Sequence, residues 1–215
     1  MASTDLKLPS YYINRELSQL EFCRRVLFMA RDGGLPTLER LRYLSITSGI
    51  LDEFFEIRVA GLKQQADYGA VQRDADNLSA EEQLEQVAAA AKALVADLYA
   101  TLNDELLPEL KAQKIRLLRS SEWTEAQVNW LKRFFAREVA PIISPVGLDP
   151  AHPFPEPANK NLAFIVTLEG RDAFGRDSRR AIVQAPRSLP RVIQLPEDCS
   201  DGEECFVLLA SVVRF

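Results

Sequence analysis

The sequence predicts an α+β protein in two parts: an N-terminal antiparallel helical bundle over residues 1–110, then a mixed, truncated α+β domain over residues 111–215. Three observations carry this. Leucines and alanines recur at helical spacing through the first half, behind polar residues suited to cap helices. Past Ile115 the apolar residues gather in short runs rich in Val, Ile and Phe, broken by Gly, Pro and Asp. Between them stand Pro141, Pro145, Pro150, Pro153, Pro155 and Pro157, a stretch expected to hold no regular structure.

The elements follow in order. Asn14 caps a first helix in which Leu17, Leu20 and Leu27 recur, and Gly33-Gly34 stops it. A short helix from Thr37 buries Leu38, Leu41 and Leu44. A third helix is expected to begin within Thr47, Ser48 and Gly49 and to run to about Tyr68, with Asp52 and Glu53 in its first turn, where the helix dipole favours negative charge. Ser79 and Glu82 form a capping box, and behind it Leu84, Val87, Ala91, Leu94, Leu98, Leu102 and Leu106 line one seam until Pro108 kinks or ends the helix. Ile115 to Leu118 reads as a strand, and Thr124 with Gln127 caps a helix carrying Trp130, Leu131, Phe134 and Phe135. Leu162 to Leu168, Arg180 to Ala185, Arg191 to Leu195 and Cys205 to Leu209 read as strands. The sequence stops inside the apolar run FVLLASVVRF, which points to a piece of something longer.

Composition narrows the function classes. At 47% hydrophobic and 27% charged, the 215 residues are too apolar for wholesale disorder. A net charge of -5 argues against general nucleic-acid binding, which needs Lys and Arg to neutralise phosphates. No run has membrane-spanning length and the start lacks a signal-peptide core, so a cytoplasmic protein without a transmembrane segment is expected. Cys23, Cys199 and Cys205 match no zinc or redox spacing and are expected as reduced thiols.

Few residues point to chemistry. No phosphate loop, dinucleotide fingerprint, nucleophile elbow or zinc-protease helix is present, and no catalytic residue or metal ligand stands out. The single histidine, His152, is pinned between prolines and reads as a structural loop residue. Arg58 falls in the apolar stripe Leu51, Phe54, Phe55, Leu62 and is expected to fold back onto Glu39 or Glu16. Arg171, Arg176, Arg179 and Arg180 could touch a polyanion, but Asp172 and Asp177 interleave them, which favours a solvated hairpin loop.

Three segments, YYINRELSQLEFCRRVL, LERLRYLSITSGILDEFFEIRVAGLKQQ and SPVGLDPAHPFP, together resemble the N-terminal part of bacterial polyphosphate kinases of the phosphohistidine type. The family pattern is close to ELSWLxFNxRVL followed by LERLxFLxIxSxNLDEFFxxRVAxLK. The resemblance implies a helical N-terminal domain, the start of a dimer-forming head domain, and hence a homo-oligomer. It implies reversible transfer of the terminal phosphate of ATP to polyphosphate, with ADP as the other nucleotide and Mg2+ as the metal, in an intact protein whose C-terminal catalytic domains hold the phosphorylated histidine. His152 is not that residue. These 215 residues alone are expected to be inactive and to carry no bound cofactor.

In this family the N-terminal domain lies over the nucleotide base, and the Asn of SxNLDEFF touches ATP. The resemblance therefore assigns nucleotide contact to Ser48, Gly49 and Ile50, with Ile50 standing where Asn is usual. Gln19 replaces the usual Trp and Cys23 the usual Asn. Asn donates and accepts hydrogen bonds, whereas Ile only packs. With Asp52 and Glu53 nearby, the expected contact is with adenine or ribose, not phosphate. A stand-alone helical interaction module that has lost nucleotide contact is the alternative reading.

Overall fold

A computed structural model describes residue 5 and residues 7–69, 73–148, 153–157, 159–170 and 180–215. The chain divides into two compact units, Met1–Leu110 and Lys111–Phe215.

The first unit is helical. Helix α1 (Arg15–Ala30) starts at Asn14, whose side-chain oxygen accepts from the Glu16 and Leu17 backbone amides at 3.0 Å. The same side chain donates to Gln83 Oε1 at 3.0 Å and Asp76 Oδ2 at 2.8 Å, tying the start of α1 to that of α4 (Ala80–Ala100). The expected capping box opens α4: Ser79 Oγ accepts from Glu82 N, and Glu82 Oε2 accepts from Ser79 N at 2.7 Å.

Helix α2 (Thr37–Glu53) overturns an expectation. It passes without a break through a π-helical turn, Phe54–Val59, into α3 (Ala60–Asp67), so the two expected helices are one. Thr47, Ser48 and Gly49 lie in its interior and cap nothing, and Asp52 and Glu53 are in no first turn. The Thr47 hydroxyl bonds backward instead, Oγ1 donating to the Tyr43 carbonyl at 2.9 Å, as Ser45 Oγ does to that of Leu41 at 3.0 Å. Leu38 is 57% exposed, not part of the buried row, and buried Arg40 takes its place.

The π turn also moves the apolar face. Buried residues step along this helix as Arg40, Leu44, Thr47, Leu51, Phe54, Val59 and Leu62, three or four apart except for the five from Phe54 to Val59. One extra residue in that turn rotates Phe55 outward to 43% exposure and brings Val59 in. The same step separates Thr101 from Leu106 in a second π turn, Thr101–Leu106, between α4 and α5 (Leu107–Ala112). Pro108 thus neither ends the helix nor breaks it. Its ring would meet the carbonyl of Asp104, four residues back, and Asp104 lies in the widened turn.

Arg40 fastens the far end of α1. Its Nε donates to the Ala30 carbonyl at 2.8 Å, an acceptor left over from the last turn of α1. Its Nη1 reaches both oxygens of Glu109, at 2.6 and 2.7 Å, and its Nη2 reaches Glu105 at 3.0 Å. Between these two ends Leu20, Cys23, Leu27, Leu44, Leu51, Phe54, Val87 and Leu94 form the core. Burying each large aliphatic or aromatic side chain contributes about 1.5–3 kcal/mol. Cys23 is wholly buried there, and burial pushes its thiol above the usual range.

The second unit is α+β. Strand β1 (Ile115–Leu118) pairs in parallel with β6 (Glu204–Leu208), which pairs antiparallel with β5 (Val192–Gln194). A second, antiparallel sheet has the order β2 (Val146–Gly147), β4 (Arg180–Gln184), β3 (Ala163–Thr167). Five strands fall where the sequence placed them. The proline stretch is less irregular than expected: Pro141 sits in a 3-10 turn, Ala140–Ile142, and Val146 pairs with Ile182. Helix α6 (Glu125–Phe134) begins at the Thr124–Gln127 capping box and ends in a third π turn, Phe135–Val139, which holds Arg137 four residues before Pro141. Residues 209–214, placed in the terminal apolar run, form α7 (Leu209–Arg214), which buries Leu209 and Val212 on one side. Among the described residues no helix is long and apolar enough to cross a membrane.

Gly49 is exposed within α2, and a Cβ built on it meets nothing within 4 Å. Gly49→Ala should stabilise the helical unit by about 0.5–1 kcal/mol, because alanine loses less backbone entropy in a helix. Urea denaturation followed by helical circular dichroism measures this; a lower midpoint would show that the position needs glycine.

Candidate functional site

A cleft of about 370 Å³ opens on the helical unit between the first turns of α1 and the junction of α2 with its π turn. That volume falls inside the roughly 300–1,000 Å³ range of small-molecule pockets. Arg15 and Gln19, one turn apart on α1, form one wall. Ile50, Glu53, Phe54, Ile57 and Arg58 form the other, at the spacing of a single helical face. The floor is apolar: Ile50 is half-buried, and Phe54, 3% exposed, meets the Phe55 ring edge-on at 5.7 Å. Ile57 is exposed at the rim.

The π turn that supplies Phe54, Ile57 and Arg58 to this lining stands apart from the other two. Both of those precede a proline that makes the widening necessary, whereas no proline lies between Pro36 and Pro108. A π turn without that cause is a feature that recurs at functional sites.

The polar part of the cleft is organised by Glu16. Its side chain is 4% exposed, and Oε1 accepts from Arg58 Nη2 at 2.5 Å, with Arg15 Nε at 3.6 Å. Of the two expected partners of Arg58 it is therefore Glu16 that pairs; Glu39 lies 3.7 Å from Arg42. Glu16 Oε2 is buried without a hydrogen-bond partner among the described residues. The two arginines at the cleft are matched by two carboxylates, Glu16 behind the wall and Glu53 in the lining. The site thus presents little net positive charge. A planar heterocycle with a polar edge suits it better than a row of phosphates, which Glu53 would oppose by about 1 kcal/mol at 4 Å even in water.

Of the three residues assigned to nucleotide contact, Ile50 lines the cleft, while Ser48 and Gly49 are exposed and do not. Sequence reasoning missed Arg15, Glu53 and Ile57 as lining, and noted Gln19 only as a departure from pattern. Their shared surface arises from packing α1 against α2, for which no local motif exists. Cys23, the other departure, is absorbed by the core. Arg180 is exposed at the start of β4. Arg171, Arg176, Arg179 and His152 lie outside the described residues. Among the described residues no three His, Cys, Asp or Glu side chains converge on a point that could hold a metal ion.

The fold is a helical unit followed by an α+β unit, and comparison with known proteins gives the class. Residues 12–118 match the polyphosphate kinase N-terminal domain and residues 126–215 the polyphosphate kinase middle domain. The chain belongs to the polyphosphate kinase family. It is 52% identical to the polyphosphate kinase of Pseudomonas aeruginosa over 205 residues, which are 95% of this chain and 30% of that one. It is 48% identical to that of Neisseria meningitidis serogroup A over 200 residues, 93% of this chain and 29% of that one. The crystal structure of polyphosphate kinase from Porphyromonas gingivalis superposes with a TM-score of 0.75 at 25% identity, covering 94% of this chain and 29% of that one. The chain thus spans about 30% of the length of the relatives it matches.

Arg58→Ala and Glu16→Ala should differ in cost. The first leaves a buried carboxylate without its main partner and should destabilise the helical unit by about 3 kcal/mol. The second leaves an arginine that is 35% exposed and reaches water, at about 1 kcal/mol. Chemical denaturation of the two variants checks the order; a costlier Glu16→Ala would mean that the carboxylate holds more than Arg58.

Proposed function

We propose that the helical unit forms the base-covering wall of the ATP site of an ATP:polyphosphate phosphotransferase, and that the α+β unit is part of its dimer-forming head domain. The observation that carries the first part is the position of Ile50. It is half-buried on the floor of an open cleft, where an apolar side chain can pack against a purine face while the surrounding polar groups meet its edge. The near balance of charge around the cleft supports contact with adenine or ribose, with polyphosphate and the nucleotide phosphates lying elsewhere.

Phosphoryl transfer belongs, on this reading, to the remainder of the longer polypeptide found in the relatives. The magnesium ion that the family implies finds no set of ligands among the described residues, and nothing in the proposed role passes through it. The role of this chain is geometric: the Glu16–Arg58 pair and the core beneath Phe54 hold the two walls at a fixed separation, so a base can enter without first ordering them.

Methyl-resolved NMR of the chain during an ATP titration tests the proposal. The Ile50 and Ile57 methyl signals should shift together, saturating only around the millimolar range because this wall supplies a fraction of the contacts. Adding inorganic tripolyphosphate should leave both in place. Shifts confined to the α+β unit, or identical shifts with tripolyphosphate, would overturn the assignment and favour a helical interaction module.

A further inference from the structure

The cleft has an apolar floor, but its named nucleotide-contact residue has no hydrogen-bonding group with which to tell one base from another. The geometry supplies a substitute on the opposite wall. Gln19 lines the same cleft as Ile50, is exposed, and has no hydrogen-bond partner among the described residues. Its neighbours on the cleft are engaged or carry one kind of group only. Arg58 is held by Glu16, Arg15 is drawn toward the same carboxylate, and Glu53 accepts but cannot donate. Gln19 alone among the lining side chains carries both a carbonyl acceptor and an amide donor. Such a pair can meet the adenine edge at two points, giving to a ring nitrogen and receiving from the exocyclic amine.

We infer that Gln19 reads the base in this chain and that Ile50 supplies the packing surface beneath it. This rests on the reading of the cleft as a nucleotide wall and adds the residue that determines specificity.

The experiment is the methyl-resolved titration with ATP and, in parallel, with purine riboside triphosphate, which lacks the exocyclic amine. Gln19→Ala should weaken ATP about fivefold to tenfold, the size of one or two net hydrogen bonds in a partly open site. It should weaken the amine-free analogue less, because only the bond to the ring nitrogen is then lost. Gln19→Glu, which keeps an acceptor and loses the donor, should fall between. Gln19 is exposed, so circular dichroism should show the wild-type helix content in both variants. If ATP shifts the Ile50 and Ile57 methyls with the same affinity in Gln19→Ala as in the wild type, Gln19 does not read the base and the wall assignment survives without it. If neither nucleotide shifts those methyls in the wild type, the cleft is not a nucleotide wall and both statements fall.

Discussion

The contact between Glu16 and Arg58 is the constraint on which the cleft depends. It joins the first turn of α1 to the widened turn after α2, 42 residues away in sequence, and does so from beneath the surface that the cleft exposes. A carboxylate that is 4% exposed is costly to bury without a partner, so the arginine is held as firmly as the carboxylate needs it. With Asn14 at one end of α1 and Arg40 at the other, the helix is pinned at three points along its length. Leucine packing alone would set the spacing of the helices but would tolerate sliding; three polar links between defined atoms fix their register.

Those links also separate what was legible in the sequence from what was not. Caps are local, and Asn14, Ser79 and Thr124 each announce a helix start that the structure contains. Strands of the second unit are legible for the same reason, since β-branched runs between Gly, Pro and Asp name their own limits. Thr47, Ser48 and Gly49 misled because a hydroxyl signals a cap only where the helix has free amides ahead of it. Here α2 has already run about three turns from Thr37, and the Thr47 hydroxyl turns back onto a carbonyl.

The π turns were not legible, because a five-residue step between buried side chains is visible only once burial is known. Phe54 and Phe55 are equally apolar in sequence, and only the packing decides that the first goes in and the second out. The candidate site shows the same division. Ile50 was reached through a pattern that spans the whole LDEFFEIRVAGLK stretch, whereas Gln19 becomes a site residue only when α1 is laid beside α2. Arg40, buried at 5% exposure and bound to two glutamates more than 60 residues away, gave no local signal at all.

The parallel pairing of β1 with β6 carries a consequence for synthesis on the ribosome. Ile115 finds its partner in Glu204, so the first strand of that sheet is made long before the strand it rests on. At typical rates of elongation the delay is about 5–20 s. During that interval an edge carrying Leu117 and Leu118 has no neighbour of its own sheet to cover it. The parallel arrangement thus places the nascent chain's exposure to chaperones and to mispairing in its second unit, after the helical unit has already emerged.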